Sequence, residues 1–560
     1  MHRPVDAAVL RRGGPHDTSP PGERLRTQVV IVGGGPAGLA AAIELGTRGI
    51  DCVVLEPRVT IDHDRPRAKT TSVRTMEHLR RWGVADRLRA AAPLPHGWSR
   101  DVVFATGLLG REITRFEGAF GLACADLGLA AEAGLQIPQP VVETVLREVT
   151  AEQPGVRLLL GARAVGLETT GDTVLARAER GGRSLAVEAR FAIGSDGAAG
   201  ICRDAVGARY EGSSGELPNL SIVFDAPGLA ERVCLRPAVQ YWIVNQTASG
   251  LMGRLDLGER WWAIVQDADP RRAEADPAAL VRILVGDRAL DPRIVATDPW
   301  VARMLLADRY RSGPVFLVGD AAHLNPPWGG HGFNTCLGDA VNLGWKLAAV
   351  LSGWAPPALL DTYQPERRPV AAQTIAAAGT QQRLRAPSFA HPDLDGAGEA
   401  GQRARARTAR ALHAKTSEFR SEGLVLGYHY ASSPIVVDDG TPVPEHDPVV
   451  YHGSGRPGAR LPHRVLPDGR ALHDVLGPWF TLLVATDGAG PAAGTAFRDA
   501  AAGTGVPLEV VEVPVAALED GARFPLVLVR PDQHVAWRGA DAADARLLLG
   551  VVTGRLTLPE

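Results

Sequence analysis

The first sustained apolar run of the chain, Val29-Val30-Ile31-Val32, is broken by Gly33-Gly34-Gly35-Pro36-Ala37-Gly38. Residues 39–45 then favour a helix, and Cys52-Val53-Val54-Leu55-Glu56 forms a second unbroken apolar stretch. Short, continuous apolar runs around a glycine turn and a helix predict a unit that nucleates a parallel sheet buried on both faces. A helical period follows over 141–150, then hairpin-like alternation over 157–190 that ends in Phe191-Ala192-Ile193-Gly194-Ser195-Asp196-Gly197. Residues 210–298 are strand-rich and carry the pairs Tyr241-Trp242 and Trp261-Trp262. They predict an antiparallel sheet inserted between parts of the first domain. Residues 314–320 read as another buried strand, 334–351 as a long helix, and 387–400 (Pro, Gly, Asp and Ala) as a linker or loop.

The pattern changes beyond about residue 434. Strands over 480–485 and 508–513 flank a helix over 492–502, a hairpin joins 524–530 to 534–538, and a helix over 542–552 closes the chain. That order suggests a small thioredoxin-like domain.

Composition narrows the field. With 560 residues, 45% hydrophobic and 22% charged, the chain has ample material for a core. A net charge of -3 provides no basic field for nucleic acid. Only Lys69, Lys346 and Lys415 are lysines among 60 basic residues, which fits codon bias in a GC-rich, Ala- and Gly-rich chain. The five cysteines are widely spaced and form no C-x-x-C pair, so neither a metal site nor a disulfide framework is expected. Residues 1–26 lack an apolar signal core, and the apolar window 29–45 is interrupted by four glycines and a proline. We expect a cytoplasmic protein with no membrane partner.

The chemistry begins at the glycine turn. Gly33, Gly35 and Gly38 have G-x-G-x-x-G spacing: the first permits a tight turn, the second close approach of a pyrophosphate, the third helix packing on the strand. Pro36 and Ala37 open the helix, whose N-terminus favours phosphate. Glu56, followed by Pro57, ends the second strand 18 residues past Gly38, where a carboxylate accepts from ribose hydroxyls and disfavours a 2′-phosphate. The nucleotide is therefore NAD or FAD. Gly319-Asp320-Ala321-Ala322-His323 and Asp196-Gly197 lie at two further strand ends, and Pro326-Pro327-Trp328-Gly329-Gly330-His331-Gly332-Phe333-Asn334 precedes the long helix. A strand-end carboxylate suits a ribityl hydroxyl, and a glycine-rich turn can bring N–H groups to a flavin edge. Dehydrogenases that use NAD alone have no need of these extra segments.

Together these motifs resemble those of the single-component (class A) FAD-dependent aromatic monooxygenases, the para-hydroxybenzoate and phenol hydroxylase group. Arg67-Ala68 leading into Arg74-Thr75-Met76-Glu77, and Ile137-Pro138-Gln139, are similar to the family's other flavin-contacting segments. The resemblance implies an α/β fold: a Rossmann-type FAD-binding domain, an interleaved antiparallel β-sheet substrate domain and a C-terminal thioredoxin-like domain. The boundaries are a flexible arm over 1–26, the FAD domain over 27–205 (with a substrate-domain segment near 95–130) and the substrate sheet over 206–300. The second FAD part spans 301–400, a linker or helix 401–440, and the thioredoxin-like tail 441–560. Without cysteines the tail cannot be a disulfide reductase, and packing or homodimer formation is its expected role.

By the same resemblance, Glu56 binds the adenosine ribose, Arg67 lies near the pyrophosphate or ribityl chain, Gln139 touches the ribityl region, and Asp320 holds the ribityl–pyrophosphate end. Pro327 and the run Gly330, His331, Gly332, Phe333, Asn334 line the isoalloxazine. Asp196 supports FAD and NAD(P)H, although Gly200-Ile201-Cys202-Arg203 keeps only the arginine of the family's usual Ser-x-Val-Arg. The implied reaction uses NADH or NADPH to reduce FAD. Oxygen then adds to give a C4a-hydroperoxide, and one oxygen atom passes to a small aromatic substrate, phenolic or polycyclic, as in secondary metabolism. Baeyer–Villiger insertion, epoxidation, or a flavoprotein that only binds or dehydrogenates are the alternatives. His331 is the candidate catalytic side chain; Tyr241, Trp242 and Trp328 are the candidate substrate contacts.

Overall fold

Val29, Val30 and Ile31 are wholly buried because their strand runs through the middle of a sheet with helices against it. The computed structural model describes residues 23–268, 275–486, 491–542 and 544–557. The strand Glu23–Val32 pairs in parallel with Arg183–Gly194 on one side and Cys52–Glu56 on the other. Val156–Leu160 continues the parallel sheet beyond Cys52–Glu56, and Val315–Leu317 continues it beyond Arg183–Gly194. The turn after Glu23–Val32 leads into the helix Pro36–Gly46, so three strand ends bring Gly33, Asp196 and Asp320 to one edge of the domain. The first strand begins at Glu23, inside the expected arm; of that arm, residues 1–22 lie outside the described residues.

The second sheet has eight strands, ordered His323–Leu324, Arg293–Ala307, Tyr210–Asp225, Arg260–Gln266, Gly250–Arg254, Gln240–Ile243, Val102–Ala105, Glu112–Phe116. It reaches past the expected limit of residue 300. Alternation along each strand gives it two faces. Val102, Phe104, Val223, Trp242, Trp262 and Ile264 share one; Val103, Ile222, Phe224, Tyr241, Ile243 and Trp261 share the other, beneath the helix Pro277–Val285. Residues 387–400 are no loose linker. Two 3₁₀ turns, Ala386–Phe389 and Pro392–Asp395, lead into the helix Glu399–Leu412. Ala386, Leu394, Ala404, Leu412 and Phe419 bury themselves on the aromatic face of the sheet.

The C-terminal sheet places Leu508–Val513 parallel to Phe480–Ala485, then Leu526–Val529 and Val535–Gly539 antiparallel, with Pro491–Thr504 and Ala545–Val552 as helices. This is a thioredoxin-like order. Buried charges bind this domain to the FAD domain: Arg74 donates to the Asp532 carbonyl at 2.6 Å and to Gln533 at 2.7 Å, and Arg460 donates to Glu77 at 2.8 Å. No helix among the described residues is long and apolar enough to cross a membrane.

Candidate functional site

The glycine turn is shaped by close contacts on one side and by open space on the other. Gly33 has φ +105°, and a Cβ on Gly38 would lie 1.9 Å from the Gly33 carbonyl oxygen, so helix and turn touch backbone to backbone. A Cβ on Gly35 would meet nothing within 4 Å. Gly35 caps the helix Pro36–Gly46 with no side-chain partner for the first N–H groups, and Gly35, Pro36 and Ala37 are each partly exposed. Unpaired N–H groups facing open space are what a pyrophosphate requires. Glu56, buried at the end of its strand, accepts from Gly34 N at 2.8 Å and from Arg58 N and Nε at 2.8 and 2.7 Å. A carboxylate offers about four acceptor positions, so one remains for a ribose hydroxyl. Pro57 beside it is exposed.

Asp320 follows the strand Val315–Leu317 in a 3₁₀ turn, Gly319–Ala321. Its side chain is exposed although protein packs densely around it, which places it in a hollow of the surface. Burial pushes its carboxyl up, opposed by His323 and by the Arg67 guanidinium across the hollow. The Cys336 thiol, at 3.7 Å from Oδ1, is a weak partner. A carboxylate so placed, next to the open Gly35 turn, fits a ribityl–pyrophosphate chain.

Two residues that sequence reading missed hold this turn. Asp339 accepts from Gly319 N at 3.2 Å, bonds His323 Nε2 at 2.7 Å and takes Arg367 Nε at 2.8 Å, all in the core. Burial works against both charges, but Asp339 holds the His323 imidazolium above its usual value, and His323 with Arg367 holds the Asp339 carboxyl low. An aspartate inside the long helix is the one available signal in the sequence, since a buried charge demands a partner.

The glycine-rich turn lies along the same hollow. Pro327 is exposed; Gly330, Gly332, Phe333 and Asn334 are partly exposed. The Asn334 amide is already committed: Oδ1 accepts from Ser72 N at 2.8 Å, while Nδ2 donates to Gly330 O at 2.7 Å and Thr70 O at 3.2 Å. It staples the turn to the segment after Arg67. Gln139 acts likewise, accepting from Ala68 N at 3.3 Å and donating to Glu143 at 2.8 Å. His331 is the first residue of the helix His331–Leu351, with its ring tucked beneath Gly329. Burial alone pulls it down to about 4, so its imidazole is neutral at physiological pH.

Asp196 bonds Cys202 N through Oδ2 at 3.0 Å, and its buried Oδ1 has no hydrogen-bond partner among the described residues. Arg203 stacks on Tyr210 at 4.2 Å, and the Tyr210 hydroxyl donates to the Asp320 carbonyl. Tyr210 thus joins Arg203 to the Asp320 backbone, while Asp196 holds the start of the short helix that carries Arg203.

The aromatic candidates divide. Trp242 stacks on Phe104 at 5.4 Å and meets Trp328 at 5.9 Å, and Trp300 approaches Trp328 at 6.3 Å. These rings pack as a tilted aromatic cluster, with Trp242 and Trp328 buried and Trp328 contributed by the glycine-rich turn. Tyr241 does not belong with them. Strand alternation turns it to the opposite face, where its hydroxyl accepts from Ala238 N at 3.0 Å beneath the helix Pro277–Val285. It is a core residue, and the expectation of substrate contact is corrected.

A family model described as FAD binding domain matches residues 26–378, and one described as aromatic-ring hydroxylase, C-terminal, matches residues 454–555. The chain is similar to the 2,4-dichlorophenol 6-monooxygenase of Delftia acidovorans: 31% identity over 563 residues, covering 92% of this chain and 95% of the relative. It is 33% identical to the tetracenomycin B2 monooxygenase-dioxygenase of Streptomyces olivaceus, over 93% of this chain and 97% of the relative. Among solved structures it is similar to the flavin-dependent monooxygenase PieE in complex with FAD and substrate. There the TM-score is 0.84 and the identity 33%, covering 95% of this chain and 99% of that one.

Proposed function

This chain belongs to the family of FAD-dependent aromatic-ring monooxygenases, and from that premise we propose that it inserts one oxygen atom of O₂ into a phenolic or polycyclic aromatic compound, using NAD(P)H. The observation that carries the reading is a convergence at the carboxyl ends of the parallel strands. The open Gly35 turn and the Asp320 carboxylate meet there, next to the helix that begins at the glycine-rich turn, whose Trp328 packs against Trp242 of the second sheet. When bound, FAD supplies the hydride acceptance and oxygen activation that no side chain here can provide.

The protein's own part is positioning. Gly33, Gly35 and Gly38 with Pro36 and Ala37 admit the pyrophosphate, Glu56 and Pro57 border the adenosine ribose, and Arg67 and Asp320 take the chain between. Pro327, Gly330, Gly332, Phe333 and Asn334 frame the ring system, with Gln139 and Asn334 acting through the backbone they hold. Asp196, whose Oδ1 is unpartnered among the described residues, supports the flavin and the nicotinamide donor from its strand end. His331, being neutral, can exchange a hydrogen bond with the reacting region without fixing a charge there. The buried aromatic cluster of Trp242 and Trp328 backs the substrate region and keeps water away. Its five free cysteines support a reducing, cytoplasmic setting.

The test is turnover of the FAD-loaded protein with NADH or NADPH across phenols and naphthols under isotopically labelled O₂. Substrate-stimulated NAD(P)H oxidation with one labelled oxygen in the product supports the reading. Equal turnover under argon with a quinone acceptor, and no label incorporated, refutes it.

A further inference from the structure

In a chain that uses arginine almost throughout, all three lysines sit over tryptophan rings: Lys69 at 4.4 Å from Trp262, Lys415 at 4.6 Å from Trp242 and Lys346 at 5.7 Å from Trp345. Two have carboxylate partners, Glu366 at 2.6 Å from Lys346 and Glu418 at 2.5 Å from Lys415. Lys69 is the exception. Its Nζ donates to the Arg67 carbonyl at 3.0 Å, and among the described residues no carboxylate lies within ion-pairing distance. A half-buried ammonium without a counter-charge is disfavoured.

Lys69 borders a cleft shared with Arg67, Ser221, Val223, Trp262 and Thr297. Val223 and Trp262 lie on the same sheet face as Trp242, in the cluster that includes Trp328 of the glycine-rich turn, and the Arg67 guanidinium at the cleft is close enough to act on the Asp320 carboxyl. The other charged groups at the cleft are Asp64, Arg65 and Asp298, of which Asp64 is paired with Arg260 at 3.1 Å. The amine thus borders a cleft with Trp262 in its lining and no ion-paired carboxylate of its own.

We propose that Lys69 Nζ receives the hydroxyl oxygen of a phenolic substrate and holds it as the phenolate beside Trp262. The proposal rests on the oxygenase reading above. Burial alone pulls the ammonium down to about 7, so near neutral pH much of the amine can take a proton. The phenol O–H bond breaks, an N–H bond forms on Nζ, and the electron pair left on oxygen enriches the ring toward oxygen transfer. Ammonium and phenolate then neutralise each other inside the protein. Arginine cannot do this, because it does not release its proton, which gives a physical reason for a lysine at this point of an arginine-rich chain.

The experiment uses the FAD-loaded full chain as wild type, Lys69→Met and Lys69→Arg, titrated at pH 7 with 2-naphthol, 2-naphthoate and 2-methoxynaphthalene. Wild type should bind 2-naphthol with the red-shifted absorbance of the naphtholate, about tenfold or more tighter than the methyl ether. Lys69→Met should lose that preference and that band while keeping FAD and its affinity for the ether. Lys69→Arg should bind 2-naphthoate but not generate naphtholate at this pH. Lys69→Gln replaces Lys69→Met should the latter lose FAD. An unchanged naphthol preference in Lys69→Met, with product still formed, overturns the role of Lys69 and leaves the oxygenase reading standing. Selective loss of 2-naphthoate alone overturns the phenol assignment in favour of a carboxylate site. Wild type whose NAD(P)H oxidation no naphthol stimulates, and which forms no product, overturns both readings.

Discussion

Replacing Arg530 by Met should release the C-terminal domain from the FAD domain. Arg530 is fully buried and donates to both Glu366 oxygens at 2.7 Å, and to Asp532 at 3.1 and 2.7 Å. With Lys346, bonded to Glu366 at 2.6 Å, the four side chains balance two positive against two negative charges. Burial opposes ionisation of Glu366, but Arg530 and Lys346 bring it down to about 2. Asp532, which also accepts from Trp345 Nε1 at 3.2 Å, is likewise held low by Arg530 despite burial. Methionine fills much of the volume and leaves one buried negative charge unmatched. Breaking such a pair costs about 3–5 kcal/mol, against the 0–1 kcal/mol of an exposed bridge. The assay is urea unfolding of the FAD-loaded protein, followed separately by tryptophan fluorescence and flavin release, since two domains need not unfold together. Arg530→Met should lower the first transition by about 3 kcal/mol or more. Adding Glu366→Gln should restore part of it, because the partners are coupled. A loss under about 1 kcal/mol, or strict additivity of the two changes, refutes the view that this cluster latches the domains.

Three shorter predictions follow from the same geometry. Gly35→Val, whose side chain enters open space, should fold normally and purify without FAD, whereas Gly38→Val should destabilise the fold by more than about 3 kcal/mol through its clash with Gly33; flavin absorbance and thermal melting separate them. Asp320→Ala should weaken FAD about ten- to hundredfold, the worth of charge-assisted hydrogen bonds, as read by flavin titration of the apoprotein. Because Glu366 is lowered from the usual 4.5 to about 2 in the fold, its stabilisation is present above about pH 4.5 and is lost as pH falls toward 2. Acid unfolding should therefore steepen across that window, and Glu366→Gln should flatten it.

Much of the architecture was readable because it is local. Apolar runs placed the strands ending at Val32, Glu56 and Gly194, and the G-x-G-x-x-G spacing located a turn whose glycines answer to steric contacts a few residues away. Residues 387–400 are largely a loop, as Pro, Gly and Asp there suggest, but not a free linker, because Leu394 is buried against strands far along the chain, which turn propensity does not report.

What the sequence determined by itself is therefore the set of elements, the nucleotide turn and the carboxylates at strand ends, all governed by spacings of two to about twenty residues. Strand alternation also requires Tyr241 and Trp242 to point to opposite sides of a sheet, a constraint that the expectation of substrate contact for both overlooked. Only the tertiary structure decided which side looks toward the flavin hollow. The same is true of Asp339 meeting His323 and Arg367, of the charges that tie the C-terminal domain to the rest, and of Lys69 standing without a counter-charge. Each depends on desolvation and on partners brought together by folding, and a charge carries no mark in the chain of whether it will be paired.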